Sequence, residues 1–142
     1  MRIVADTNVV LSALLWRGTP YRLFQSLRQL PHGQIFTSAI LIAELAEVLT
    51  RPSPAKRLAA IGRTARGVLA DYVEIVELVA PDQVPRVVMA DADDDHVIAA
   101  AVAAQAEVIV SGDKHLLTLE MHQGIRILTP AQALEFISAG VT

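Results

Sequence analysis

Short apolar runs alternate with helix-periodic segments along the chain. Residues 3–5, Ile3-Val4-Ala5, are apolar at consecutive positions between Arg2 and Asp6. That pattern predicts a buried strand, and residues 9–15 resume as a helix with Thr7 or Asn8 as its cap. Thr19 as cap and Pro20 as first residue predict a second helix through Leu23, Phe24 and Leu27, ended by Pro31-His32-Gly33. Residues 34–37 form the second predicted strand. Ser38 caps a helix to about residue 50, with Leu41, Leu45, Val48 and Leu49 on its buried face. This helix must stop before Pro52. A helical pattern continues through Leu58, Ile61 and Leu69, weakened by Gly62 and Gly67. Residues 76–79 make a third strand, stopped by Pro81, and residues 82–86 a loop.

The strongest local signal follows. Asp91, Asp93, Asp94 and Asp95 fall within five positions, and residues 97–104 are apolar almost without interruption. Apolar residues on every side of a helix mean a buried helix, so its start lies at the edge of the core. Ionised Asp is costly there unless compensated. Asp93 or Asp94 can cap the first turn, where the helix dipole favours negative charge. Asp95 shares a helix face with Ile98, Ala99 and Val102, and a carboxylate on that face asks for a cation. A solvated capping cluster is the plainer alternative. Beyond it, residues 107–111 read as a strand ended by Gly112-Asp113, and residues 114–117 as a short helix. Gly124 introduces a last strand, residues 125–128, and Thr129-Pro130 starts a closing helix to about residue 138. Strands alternating with helices argue for one α/β domain over residues 1–142, with a parallel sheet covered on both faces.

Cysteine is absent, which removes disulfides, thiolate metal sites and a catalytic thiol. No run reaches membrane-spanning length and no signal-peptide core precedes the first strand, so a cytoplasmic protein with no membrane partner is expected. The net charge of −3 does not point to nucleic acid, but its distribution does more. Residues 1–70 carry nine Lys/Arg and three acids, or +6, whereas residues 71–142 carry three and twelve, or −9. Such asymmetry fits one surface that meets an anion and another that holds cations. Arg51, Lys56, Arg57, Arg63 and Arg66 lie in a stretch with no acid between Glu47 and Asp71. They are candidates for the surface that meets an anion; a solvated helix face or a dock for an acidic partner segment are the alternatives.

Asp6 and Asp113 each end a strand, Asp95 opens a helix and Glu44 borders the buried face of another. If the first and fourth strands are neighbours at the sheet's switch point, these acids converge on one edge, where ligands of open α/β sheets bind. Carboxylates without cysteine are the ligand set for hard cations, Mg²⁺ or Mn²⁺. Such ions bind phosphate oxygens and activate water. His96 and His115 are neighbours rather than ligands on this view, because a Mg²⁺ site prefers oxygen.

Asp6-Thr7-Asn8, Glu44 in Glu-Leu-Ala-Glu-Val-Leu, Asp95 in Asp-His-Val-Ile-Ala-Ala and Asp113 in Ser-Gly-Asp-Lys resemble, in order, the four acidic motifs of PIN-domain nucleases. The Asp-rich run, Ser-Gly-Asp-Lys-His-Leu-Leu and Gly-Ile-Arg-Ile-Leu-Thr-Pro are similar to the VapC-like subgroup of toxin–antitoxin toxins. The resemblance covers essentially the whole chain. It implies a three-layer α/β/α Rossmann-like PIN fold with a parallel sheet of about five strands in the order 3-2-1-4-5. It also implies a Mg²⁺- or Mn²⁺-dependent endoribonuclease in which Asp6, Glu44, Asp95 and Asp113 hold metal, with Asp91 as a further candidate ligand. Thr7, Asn8 and Ser111 would orient ligands or water. RNA is the implied substrate, a cognate antitoxin the implied partner, and a homodimer or higher homo-oligomer the expected assembly. Many relatives carry a second Asp where this chain has His115. Two other classes stay open. One is a phosphohydrolase acting through an aspartyl-phosphate, although Asp6-Thr7-Asn8 lacks the second Asp that such enzymes use. The other is a catalytically silent RNA- or protein-binding module.

Overall fold

A computed structural model describes residues 1–82 and 92–140, with the side chains of residues 92, 93 and 140 left aside. Residues 83–91, which include most of the predicted 82–86 loop and Asp91, lie outside the described residues, as does the side chain of Asp93. The described strands are β1 (Arg2–Ala5), β2 (Gln34–Ser38), β3 (Val76–Val79), β4 (Val108–Val110), β5 (Met121–His122) and β6 (Ile125–Leu128). The described helices are α1 (Thr7–Leu15), α2 (Thr19–Gln29), α3 (Ala39–Val48), α4 (Pro52–Ala60), α5 (Ala65–Ile75), α6 (Ala92–Ala104), α7 (Lys114–Leu117) and α8 (Pro130–Gly140).

The sheet order is β3-β2-β1-β4-β6-β5. β1 pairs in parallel with both β2 and β4, β2 with β3, and β4 with β6. This is the expected 3-2-1-4-5 sheet with one addition. β5 pairs antiparallel with β6, Met121 opposite Arg126 and His122 opposite Ile125. Gly124, expected to introduce the last strand, is the second residue of a two-residue hairpin turn. Gln123 and Gly124 both take positive φ, 49° and 80°, which suits the right-handed twist of the strands they join. A two-residue strand is too short to show alternation, so nothing in the hydrophobic pattern announces β5.

Alternation along β1 divides the core. Ile3 and Ala5 pack with α1, α2 and α8 on one face, while Val4 packs with Ile109, Val97 and Ile98 on the other. α6 buries one face and not its whole circumference: Ala100 and Ala101 are fully buried against the sheet, while Val102 is 39 % exposed on the outer side. Tyr72 of α5 is buried and hydrogen-bonded to Thr37 of β2, which ties that helix to the sheet. The sheet is thus covered on both faces, as the strand–helix alternation requires. Among the described residues no helix is long and apolar enough to cross a membrane.

Three local expectations shift. α1 is capped by Asp6, not by Thr7 or Asn8. α2 is preceded by Gly18 as its cap, so Thr19 is already helical. The basic stretch after Arg51 forms two helices rather than one run. Gly62 at φ 67° follows the end of α4, and Thr64 restarts the chain by accepting the Gly67 N–H at 3.0 Å.

Gly33 marks the return from α2 into β2. A Cβ added there would stand 1.9 Å from the Leu27 carbonyl oxygen, a backbone atom that cannot turn away. Gly33→Ala should therefore lower stability by about 2 kcal/mol or more, as overpacking against fixed atoms does. Gly112→Ala, which meets nothing within 4 Å, should change it by less than about 0.5 kcal/mol. Urea unfolding of the two variants side by side checks this; coincident midpoints would contradict the close approach at Gly33.

Candidate active site

Strand register sets the site. Ala5 stands opposite Val110, so the residues that follow, Asp6 and Ser111, leave the sheet side by side. The Asp6 N–H donates to the Val110 carbonyl at 3.0 Å, and the Ser111 N–H to that of Leu128 at 2.9 Å. Asp6 then caps α1: its Oδ1 accepts the Val9 N–H at 3.0 Å. Its Oδ2 accepts the Ser111 hydroxyl. Ser111 Oγ in turn accepts the Asp113 N–H at 2.9 Å, and the Asp113 carboxylate accepts the His115 N–H at 2.7 Å at the start of α7. A fully buried serine therefore joins the carboxyl ends of the two central strands and fixes the rotamer of Asp6.

Above these residues lies a cleft of about 300 Å³. β1 and α1 contribute Asp6, Thr7 and Asn8 to its wall, α3 contributes Glu44, Glu47 and Val48, and Arg51 stands at the α3–α4 junction. α6 adds Asp94 and Val97, and Asp113 closes the ring. Of the four acids expected to converge, Asp6, Glu44 and Asp113 do so. Asp95 does not line the cleft; it is fully buried, and Asp94, at 7 % exposure, takes the cleft position instead. The reason is helix phase. Asp94 lies three residues before Val97, which also lines the cleft, and Asp95 is turned about 100° further round α6. The sequence offers Asp93 or Asp94 as the cap of this helix. Glu47 is 62 % exposed yet stands on the cleft rim. The i, i+3 spacing of Glu44 and Glu47, which puts both on one helix face, is the signal in the sequence for it.

The basic residues disperse. Arg51 lines the cleft and pairs with Glu47 at 3.0 Å. Arg57 donates to the Leu15 carbonyl at 2.8 Å, beneath Trp16, and so holds α4 to the end of α1. Arg63 pairs with Asp71 at 2.6 Å in a separate groove between α1, α2 and α5. Lys56 and Arg66 are exposed. His96 is half-buried and His115 exposed, and neither lines the cleft.

Burial pushes the Asp6 carboxyl above its ordinary 3.8; the Ser111 hydroxyl and the Val9 N–H pull it back, and the charge of Asp113 pushes it up again. A buried carboxylate beside a second one, in a cleft lined by oxygen donors and no sulfur, matches the chemistry of a hard divalent cation. Among the described residues, no three of His, Cys, Asp and Glu already stand as a coordination set. The donor chemistry fits a metal ion, and the set is not preassembled.

A mostly parallel sheet with carboxylates gathered at its switch point places the cleft where open α/β sheets bind ligands. The sequence matches the PIN domain over residues 2–115, and the chain belongs to the PIN-domain family, whose members are generally nucleases that use divalent metals. The match contains every cleft residue. No curated protein matches the chain.

The raised Asp6 pKa has a consequence for stability. The folded state binds this proton more tightly than the unfolded chain, so the contribution is complete below about 3.8 and is lost as pH rises through the folded value. In metal-free buffer, Asp6→Asn should be more stable than the wild type near neutral pH and should lose less stability between about pH 4 and pH 7. Urea midpoints across that range check it; parallel pH profiles for the two proteins would contradict it.

Proposed function

We propose that the protein is a Mg²⁺- or Mn²⁺-dependent endoribonuclease and the toxin component of a toxin–antitoxin pair. The observation that carries this reading is the buried, Ser111-bound Asp6 facing Glu44, Asp94 and Asp113 across one cleft of a PIN fold. These four side chains would hold the cation, with Asp91 as a further candidate. A hard divalent ion, when bound, supplies positive charge against the phosphoryl oxygens and makes water a better nucleophile at neutral pH.

The chain's own residues do the rest. Ser111 keeps Asp6 in one rotamer, and the α1 N-terminus, through Val9, keeps its oxygen directed. Asn8 is exposed on the cleft wall and suits orientation of water or a ribose hydroxyl; Thr7 is buried behind it. Lys56 and Arg66, both exposed, would contact the RNA backbone, whereas Arg57 holds the Leu15 carbonyl and Arg63 pairs with Asp71. An aspartyl-phosphate mechanism is disfavoured, because Asp6-Thr7-Asn8 lacks the second Asp that such enzymes use. The same reading expects a cognate antitoxin and a homodimer or higher homo-oligomer.

RNA cleavage with and without Mn²⁺ tests the proposal. Asp6→Asn, Asp94→Asn and Asp113→Asn should each lower the rate by roughly a hundredfold or more, since one misplaced catalytic group commonly costs that much. Asp95→Asn should cost far less per folded molecule, because Asp95 is outside the cleft. If Asp95→Asn silences the protein while Asp94→Asn does not, the assignment within α6 is reversed. Millimolar Mn²⁺ should also raise the melting temperature of the wild type and not that of Asp6→Asn, because an ion that binds only the folded state stabilises it by mass action.

A further inference from the structure

We propose that Arg51 receives the phosphate next to the bond to be cut, exchanging its ion pair with Glu47 for the phosphodiester as RNA enters the cleft. The inference rests on the ribonuclease reading above. Five carboxylates line the cleft, Asp6, Glu44, Glu47, Asp94 and Asp113, and among the described lining residues Arg51 is the single cation. A phosphodiester is an anion, and an acidic cleft repels it at its mouth. A side chain that answers that repulsion must reach the cleft, be unburied and have a partner it can give up.

Arg51 meets all three conditions. Its backbone is held: the N–H donates to the Val48 carbonyl at 3.1 Å, the carbonyl accepts the Ala55 N–H at 2.9 Å, and Pro52 follows. Its side chain is 60 % exposed and its partner Glu47 is 62 % exposed, so the guanidinium turns about a fixed root. An ion pair this exposed is screened by solvent and adds little to stability, so it is readily exchanged. The planar guanidinium fork matches two phosphate oxygens, which a lysine ammonium does not. The other arginines of the basic stretch differ. Arg57 is committed to the Leu15 carbonyl, and Arg63 and Arg66 do not line the cleft. Glu47 is then the resting partner of the cation and not a metal ligand, although it shares the cleft with the four acids.

The rival account is that Arg51 merely neutralises nearby acids. Binding of a short single-stranded RNA in EDTA, followed by fluorescence anisotropy against salt, separates the two without any metal. Arg51→Met should weaken binding about tenfold, as loss of a charge-assisted hydrogen-bonded pair does, and reduce the salt slope by about 0.7. Arg51→Lys should recover the slope but only part of the affinity. Glu47→Gln should tighten binding a few fold in the wild type and leave it unchanged in Arg51→Met, because the competitor matters only while the cation is there. Full affinity in Arg51→Lys, or the same tightening by Glu47→Gln in both backgrounds, would overturn the proposal in favour of simple neutralisation. Asp6→Asn should keep the wild-type salt slope while losing Mn²⁺-dependent cleavage. If the wild type shows no Mn²⁺-dependent cleavage, the ribonuclease reading fails and the phosphate-binding role is decided by the EDTA measurement alone. If the wild type binds no RNA in EDTA, both fall.

Discussion

The Asp6 carboxylate sits at the end of the central strand with 7 % of its surface exposed, and the rest of the site follows from how that is tolerated. Removing a carboxylate from water is expensive, and the molecule offsets the cost with local donors rather than with a basic side chain. One donor is the first turn of α1, the other the hydroxyl of Ser111 across the β1–β4 pairing. Both depend on parallel register: a slip of one residue between β1 and β4 would turn Ser111 to the other face of the sheet. The two helices that carry Glu44 and Asp94 then need only pack on their own sides of the sheet for their acids to reach the same cleft. The donors do not offset the whole cost: burial, and after it the charge of Asp113, still hold the Asp6 carboxyl above its ordinary value.

Much of this was legible because it rests on short-range pattern. An acid after a run of β-branched or small apolar residues marks the carboxyl end of a buried strand, and Asp6 and Asp113 stand in that position. Ser38 before Leu41 and Leu45 marks the start of α3, and its phase places Glu44 at the edge of the buried face. What was illegible is equally specific. On α6 nearly every position after the acids is Ala, Val or Ile, so Asp94 and Asp95 both have apolar neighbours at i+3 and i+4 and periodicity cannot tell them apart. Their difference arises from how α6 meets β1, β2 and α3, which is tertiary. β5 is two residues long and held by a hairpin turn, with no alternation to find. The basic stretch read as one surface because charge was counted along the chain; folding sends Arg57 to the end of α1, Arg63 to Asp71 and Arg51 to the cleft.

The charge asymmetry between the two halves of the sequence acquires a physical meaning in this arrangement. The acidic half supplies Asp94 and Asp113, and the basic half supplies Arg51 at the same rim, together with Asp6 and Glu44 from its few acids. A nuclease has to satisfy two opposite demands within a few ångströms: negative ligands for a cation, and positive groups for a polyanion. Here the two halves of the chain meet at the β1–β4 pairing, which brings carboxylates and an arginine to one edge of one sheet. Sequence distance between cation and carboxylate is large while spatial distance is small, because β1 is central and its neighbours come from opposite ends of the chain.

The central claim is that the carboxylates of this cleft form a divalent-cation site. Diffraction from crystals soaked in millimolar Mn²⁺, collected where manganese scatters anomalously, tests it most directly. The account predicts anomalous density in the cleft within bonding distance of Asp6 and at least one of Glu44, Asp94 and Asp113. A clean map with no peak there, or a peak held by other residues, would contradict it.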